Sequence, residues 1–93
     1  MKHFDWNAEK NELLKEERGV SFEEIQAAAE SNEPIAVIDH PNQSRYPNQK
    51  IMIVNINEYA YMVPFVDNKD SWFLKTIYPS RDATKIFIKK EKV

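Results

Sequence analysis

Several cations, aromatic rings and one histidine in this sequence have types and spacings suited to an anionic ligand. Arg81 follows Ser80 at the expected start of a helix, where unpaired backbone N–H groups favour an anion. Its guanidinium is therefore placed to neutralise one; a salt bridge to Asp82 or to the acidic N-terminal helix is the alternative use of that side chain. Lys75 alternates with Phe73 and Ile77, so a strict two-residue period aims it at their apolar side. A lysine in that position either snorkels to water or lines a cleft. Tyr78 stands at the end of the same strand, where its ring can stack on a base or its hydroxyl can act as an acid, the other reading being a core tyrosine with a wet hydroxyl.

A second group lies in the segment from His40 to Gln49, HPNQSRYPNQ. His40 has an ordinary pKa near neutrality and stands in a polar setting, so it is a candidate general base, although a lone surface histidine is usually incidental. Arg45, Tyr46 and Lys50 place two cations around one aromatic ring, the order that suits backbone contact plus stacking with a single-stranded nucleic acid. An ordinary polar loop has the same composition. Connections this long in so small a domain are more often functional than idle.

The elements that must position these groups are readable from period and punctuation. Phe4 and Trp6 flank Asp5 as a short strand, and Asn7 caps a helix from Ala8 to Arg18 that Gly19 ends in a left-handed turn. Ser21 with Glu24 forms an S-x-x-E capping box for a second helix ending near Glu30, with Val20 stapled against Ile25. Four extended runs follow, Ile35 to Ile38, Ile51 to Ile56, Tyr59 to Val66 and Trp72 to Tyr78, all rich in β-branched and aromatic residues. Asn57 and Glu58 make a tight hairpin and Asp67 to Ser71 a looser one, so these neighbours must be antiparallel. Tyr59 and Tyr61 share a strand face with Val63 and Phe65, which is a core pattern, a base-stacking platform being the alternative reading. Pro64 has no amide hydrogen to donate, so the third run needs a bulge or a free edge there. Ser80 opens a final helix with Ala83, Ile86 and Phe87 on its apolar side and Lys85, Lys89, Lys90 and Lys92 around it. The expectation is a single α+β domain over residues 1–93: two N-terminal helices, a four-stranded antiparallel sheet and a C-terminal helix.

Composition narrows the chemistry further. With one glycine in 93 residues, a glycine-rich phosphate loop of the P-loop or Rossmann kind is excluded, and with no cysteine so are a disulfide framework and a thiolate metal site. The carboxylates do not cluster as metal ligands, because Glu23 and Glu24 serve a helix start and Glu16 and Glu17 a solvated or partner-facing side. No cofactor is expected. Apolar runs fall far short of the roughly 20 residues that span a bilayer, so a cytoplasmic protein without a membrane anchor is expected. Residues 1–34 hold four Lys/Arg against nine Asp/Glu, whereas 67–93 hold seven against four. The C-terminal third is the part suited to an anion, the alternative being that both charged ends are solvated helix faces.

Two stretches carry a family resemblance. The opening FDWNAEKNELLKEERGVSFEE, an aromatic-acid-aromatic strand followed by a K-N-E helix start and G-V-S-F-E-E, resembles the N-terminal half of the BrnT-type toxins of bacterial toxin-antitoxin pairs. The closing LKTIYPSRDATK is similar to that family's last strand and helix start, with its S-x-R-x-A-T pattern. The resemblance implies a fold related to the RelE-like ribonucleases, an RNA-cleaving activity, and a small antitoxin partner, expected to be a ribbon-helix-helix DNA-binding protein. By motif position Arg81 corresponds to the family's arginine at the end of the last strand, and Lys75 to a position that is commonly basic. Metal-independent RNA cleavage needs a base for the 2′-hydroxyl, an acid for the leaving oxygen and cations on the phosphate. On that reading Arg81, Lys75, His40 and Tyr78 are the candidate catalytic residues, and Arg45, Tyr46, Lys50 and Lys85 the candidate RNA-binding ones. The alternative on the same fold is a noncatalytic module that pairs with a small DNA-binding regulatory protein.

Overall fold

Residues 3–32 and 34–89 are described by the computed structural model of the chain. Lys90 and Lys92, expected on the last helix, lie outside them. Strand β1 (His3–Trp6) leads into helix α1 (Ala8–Arg18), and helix α2 (Phe22–Asn32) follows after a short turn. The local signals act as the sequence requires. Asn7 accepts a hydrogen bond from the Lys10 amide, and Gly19 adopts φ +66° with its N–H donating to the Lys15 carbonyl. At α2 the Ser21 hydroxyl accepts from the Glu24 amide at 3.2 Å, while the Glu24 carboxylate accepts from the Ser21 amide at 3.1 Å, which closes the capping box.

Four more strands and a short fifth complete the sheet: β2 (Ala36–Asp39), β3 (Gln49–Ile56), β4 (Tyr59–Asp67), β5 (Ser71–Leu74) and β6 (Tyr78–Pro79). The order is β1-β5-β4-β3-β2, with β6 beside β4 in line with β5. The α+β class stands, and each adjacent pair from β2 to β5 is antiparallel as expected. The sheet nevertheless has six strands rather than four, and it is mixed, because β1 pairs in parallel with β5 through Phe4 and Trp72. A parallel pair needs a long crossover, here everything between the two strands, so short-range pattern carries no sign of it.

The run expected from Trp72 to Tyr78 is divided between β5 and β6, and Pro64 supplies the reason. The Lys75 amide donates to the Pro64 carbonyl at 2.8 Å, so that side of Pro64 faces β5 and β6. A strand residue points its nitrogen and its carbonyl to the same side, and the nitrogen of Pro64 has no hydrogen to return. The ladder fails at that step. The chain leaves the sheet over Lys75–Ile77 and rejoins β4 where Tyr78 pairs with Met62. The guanidinium of Arg18 donates to the Ile77 carbonyl within this gap, so α1 satisfies an acceptor that lies outside the ladder.

Helices cover both faces. On one, Leu14, Phe22, Ile25 and Ala29 from α1 and α2 pack on Met52, Val54, Val63 and Phe65. Trp72 stacks between Phe4 and Phe65, with ring centroids 5.8 and 4.3 Å away, and Trp6 stacks on Phe22. On the other face Ile53 and Ala60 form a smaller core with Ala83 and Ile88. The last helix begins as a short α-helical turn, α3 (Arg81–Ala83), and continues directly as a π-helix over Thr84–Lys89. This shifts its apolar side. Hydrogen bonding from i to i+5 widens the turn, so Ala83 and Ile88 meet the sheet, while Ile86 at 66% and Phe87 at 37% exposure point outward. The expected Ala83, Ile86, Phe87 side assumed α-helical spacing and is corrected accordingly.

Candidate functional site

An open groove of about 300 Å³ lies where the last helix meets the start of β4, lined by Tyr59, Arg81, Thr84, Lys85 and Lys89. Its floor is fixed by a compact hydrogen-bonded clip. The Ser80 amide donates to the Ala60 carbonyl at 3.0 Å, which brings the end of β6 onto β4. Ser80 then caps the helix, its hydroxyl accepting from the Ala83 amide at 3.1 Å. Thr84, buried at 2% exposure, accepts from the Ala60 amide at 2.8 Å and donates to the Ser80 carbonyl at 2.7 Å. Each polar atom of the clip is satisfied inside the protein, so the clip positions its neighbours rather than offering itself to a ligand.

Those neighbours are cations. Arg81, Lys85 and Lys89 are exposed and spaced by four residues. Four residues slightly exceed one α turn and fall slightly short of one π turn, so the three stay on one side of the helix. None forms an ion pair among the described residues, and Arg81 does not engage the adjacent Asp82 or the acidic α1. Tyr59 closes the opposite wall. It is half-buried directly after the Asn57–Glu58 turn, and its ring meets Tyr61 edge-on with centroids 5.8 Å apart. Of the expected core pair, Tyr61 does pack on the main core, while Tyr59 belongs to the groove. Three unpaired positive groups facing a phenol make a setting for a phosphate-bearing ligand.

The candidates named from sequence divide between separate places. Arg81 and Lys85 meet in the groove. Tyr78 is half-buried opposite Met62, one row further into the sheet, and does not line it. Lys75 lies past the end of β5, exposed, with its ammonium 5.7 Å from the centroid of the Phe73 ring. It thus shares the side of Phe73, as the two-residue period expects, but stays exposed there, while Ile77, beyond the break, is buried in the main core. His40, Arg45, Tyr46 and Lys50 stand at the far end of the β3–β4 ribbon. Lys50 pairs with Phe65, whereas Tyr59 pairs with Ile56. Six residues of strand separate those rows, about 20 Å at the usual rise.

At that far end the side chains are largely engaged with one another. The His40 Nδ1 accepts from the Asn42 amide at 3.0 Å, and the ring lies 4.5 Å from that of Tyr46. Gln43 donates to the His40 and Gln49 carbonyls, and the Asn42 carboxamide accepts from Ser44 and the Arg45 amide. Arg45 sits 5.6 Å from the Tyr46 ring. Lys50 is flanked by carboxylates, 3.8 Å from Asp39 and 3.8 Å from Asp67. The loop thus uses its amides and His40 to hold its own shape, and the charge of Lys50 is compensated.

The sequence assigns Tyr59 to the core ahead of a base-stacking role, and it places Lys89 on the basic side of the last helix without singling it out as a site residue. The four-residue spacing of Arg81, Lys85 and Lys89 was a usable signal, and the position of Tyr59 after a turn was not. Among the described residues no three histidines or acidic groups converge as metal ligands, and no helix is long and apolar enough to cross a membrane. No protein-family model, no curated protein and no solved structure matches this chain.

Proposed function

We propose that the chain is a ribonuclease toxin of a toxin-antitoxin pair, with a BrnT-like, RelE-related arrangement, and that it grips RNA in the groove between the last helix and β4. The observation that carries this reading is the row of cations, Arg81, Lys85 and Lys89, none of them in an ion pair among the described residues, over a groove that also holds Tyr59. Cleavage is metal-independent: the 2′-hydroxyl attacks the adjacent phosphorus while the cations stabilise the charge that grows on the phosphoryl oxygens. Arg81 is the principal phosphate ligand, since its planar fork matches two phosphate oxygens at once. In support, FDWNAEKNELLKEERGVSFEE spans β1, α1 and the start of α2, and LKTIYPSRDATK runs from the end of β5 through β6 into the last helix, the kinds of element the resemblance implies for them. Inducing the chain alone in bacteria is expected to arrest growth, and Arg81→Ala to relieve the arrest. Growth indifferent to the unaltered chain would overturn the proposal.

A second reading is favoured by Ile86 and Phe87, which lie exposed on the same helix as the cations. On this reading the domain is a noncatalytic module whose C-terminal helix docks on a small DNA-binding regulatory protein. A purified chain that binds such a partner and leaves RNA intact supports it. RNA cleavage by the chain alone removes it.

A further inference from the structure

Resting on the RNA-cleavage reading above, we infer that Tyr59 is the general acid of the cleavage step. Attack by the 2′-hydroxyl forms the 2′-O–P bond and breaks the P–O5′ bond, giving a 2′,3′-cyclic phosphate and a 5′-hydroxyl. The 2′ proton passes to water, and the departing 5′ oxygen must take a proton from a donor in the groove. In this assignment the Tyr59 hydroxyl gives that proton, and the resulting phenolate regains one from solvent.

The groove leaves few other donors. The Thr84 hydroxyl is committed in both directions, donating to the Ser80 carbonyl and accepting from the Ala60 amide. His40 is at the opposite end of the β3–β4 ribbon and Tyr78 is not in the lining. Lys85 and Lys89 carry protons on long exposed stems, which suits phosphate neutralisation better than transfer to one fixed oxygen. Tyr59 combines what the step needs. It is held by the strand start and by the edge contact with Tyr61, and its hydroxyl makes no hydrogen bond with any described residue. A half-buried phenol with a free hydroxyl beside three cations is positioned for work at the phosphate they hold.

The test uses the purified full chain and two forms of one RNA oligonucleotide, differing at the linkage the unaltered protein cuts. One has the natural 5′ oxygen and the other a 5′-bridging sulfur, a leaving group that departs without protonation. Tyr59→Phe keeps the ring and its packing. It should cut the oxygen substrate about 100-fold or more slowly, within the range for lost general acid catalysis. On the sulfur substrate it should match the unaltered chain, and its affinity for a 2′-O-methyl oligonucleotide should not change. Arg81→Ala should be slow on both substrates. Equal rates for Tyr59→Phe and the unaltered chain on the oxygen substrate would overturn the assignment while leaving the nuclease reading intact, as would an equal loss on both substrates. An unaltered chain that leaves every RNA whole would remove the nuclease reading, and the role of Tyr59 with it.

Discussion

The Thr84 hydroxyl joins the last helix to β4 by accepting the Ala60 amide at 2.8 Å, in a site where Ala60 is fully buried. That amide has no water to turn to if the hydroxyl is removed. Thr84→Val keeps the shape and deletes the acceptor, and leaving one buried donor unsatisfied costs about 1–3 kcal/mol. Urea unfolding should report a loss in that range. The same variant should also weaken the groove, because Arg81 and Lys85 flank the residue that pins their helix.

The three groove cations predict a particular dependence on salt. A single-stranded nucleic acid releases counterions as its phosphates are neutralised, with a slope of about −0.7 in log affinity against log salt for each. Replacing Lys85 or Lys89 by alanine should lower affinity and flatten that slope by about this amount per residue. Replacing Lys50, already flanked by Asp39 and Asp67, should change the slope little. Fluorescence titrations at several salt concentrations measure both.

Asn11 is buried at the junction of α1 and α2, donating to the Glu23 carboxylate at 2.8 Å and accepting from the Phe22 amide at 2.8 Å. The Asn11 hydrogen bond is the main cause that holds the Glu23 carboxyl below its ordinary value of 4.5. A carboxyl with a lowered folded pKa adds stability above the ordinary value, and that contribution disappears as pH falls through the folded value. Asn11→Ala should therefore destabilise the fold at neutral pH, by about 1–3 kcal/mol from the orphaned Phe22 amide. It should also remove the part of the acid sensitivity that arises below pH 4.5. Thermal melts of both proteins between neutral and acidic pH would show the two effects.

The β3–β4 hairpin carries Asn57 at φ +53° and Glu58 at φ +65°, so both turn residues are left-handed. Asparagine tolerates this conformation, and glutamate bears a steric cost of about 1–2 kcal/mol. Glu58→Gly should raise stability by about 1 kcal/mol, after the greater chain entropy of glycine in the unfolded state is deducted. A rise in melting temperature, with RNA affinity unchanged, is the expected result.

What the sequence disclosed was local, and what it concealed depended on partners. Asn7, Gly19, the Ser21–Glu24 box and the Asn57–Glu58 turn each act within a few residues, and all behave as their chemistry requires. The break at Lys75–Ile77 arises from Pro64 on a neighbouring strand, beyond any window that contains Lys75 alone. The π-helix reversed the roles of Phe87 and Ile88 because apolar spacing was measured against the narrower α-helical turn. In the site, Arg81 and Lys85 were legible from the basic C-terminal third. The HPNQSRYPNQ loop has the residues of a binding segment, but it stands at the far end of the β3–β4 ribbon from the groove and is braced by its own hydrogen bonds, and composition records neither.

On the proposed reading, nucleic acid enters at the Tyr59–Arg81 end of the sheet rather than at the His40–Lys50 end. Titrating the ¹⁵N-labelled chain with a 2′-O-methyl oligonucleotide, which binds without being cut, tests this residue by residue. Amide shifts should concentrate at Tyr59, Ala60 and Arg81–Lys89 and be abolished by Arg81→Ala. Shifts confined to His40–Lys50, or none at any oligonucleotide concentration, would contradict it.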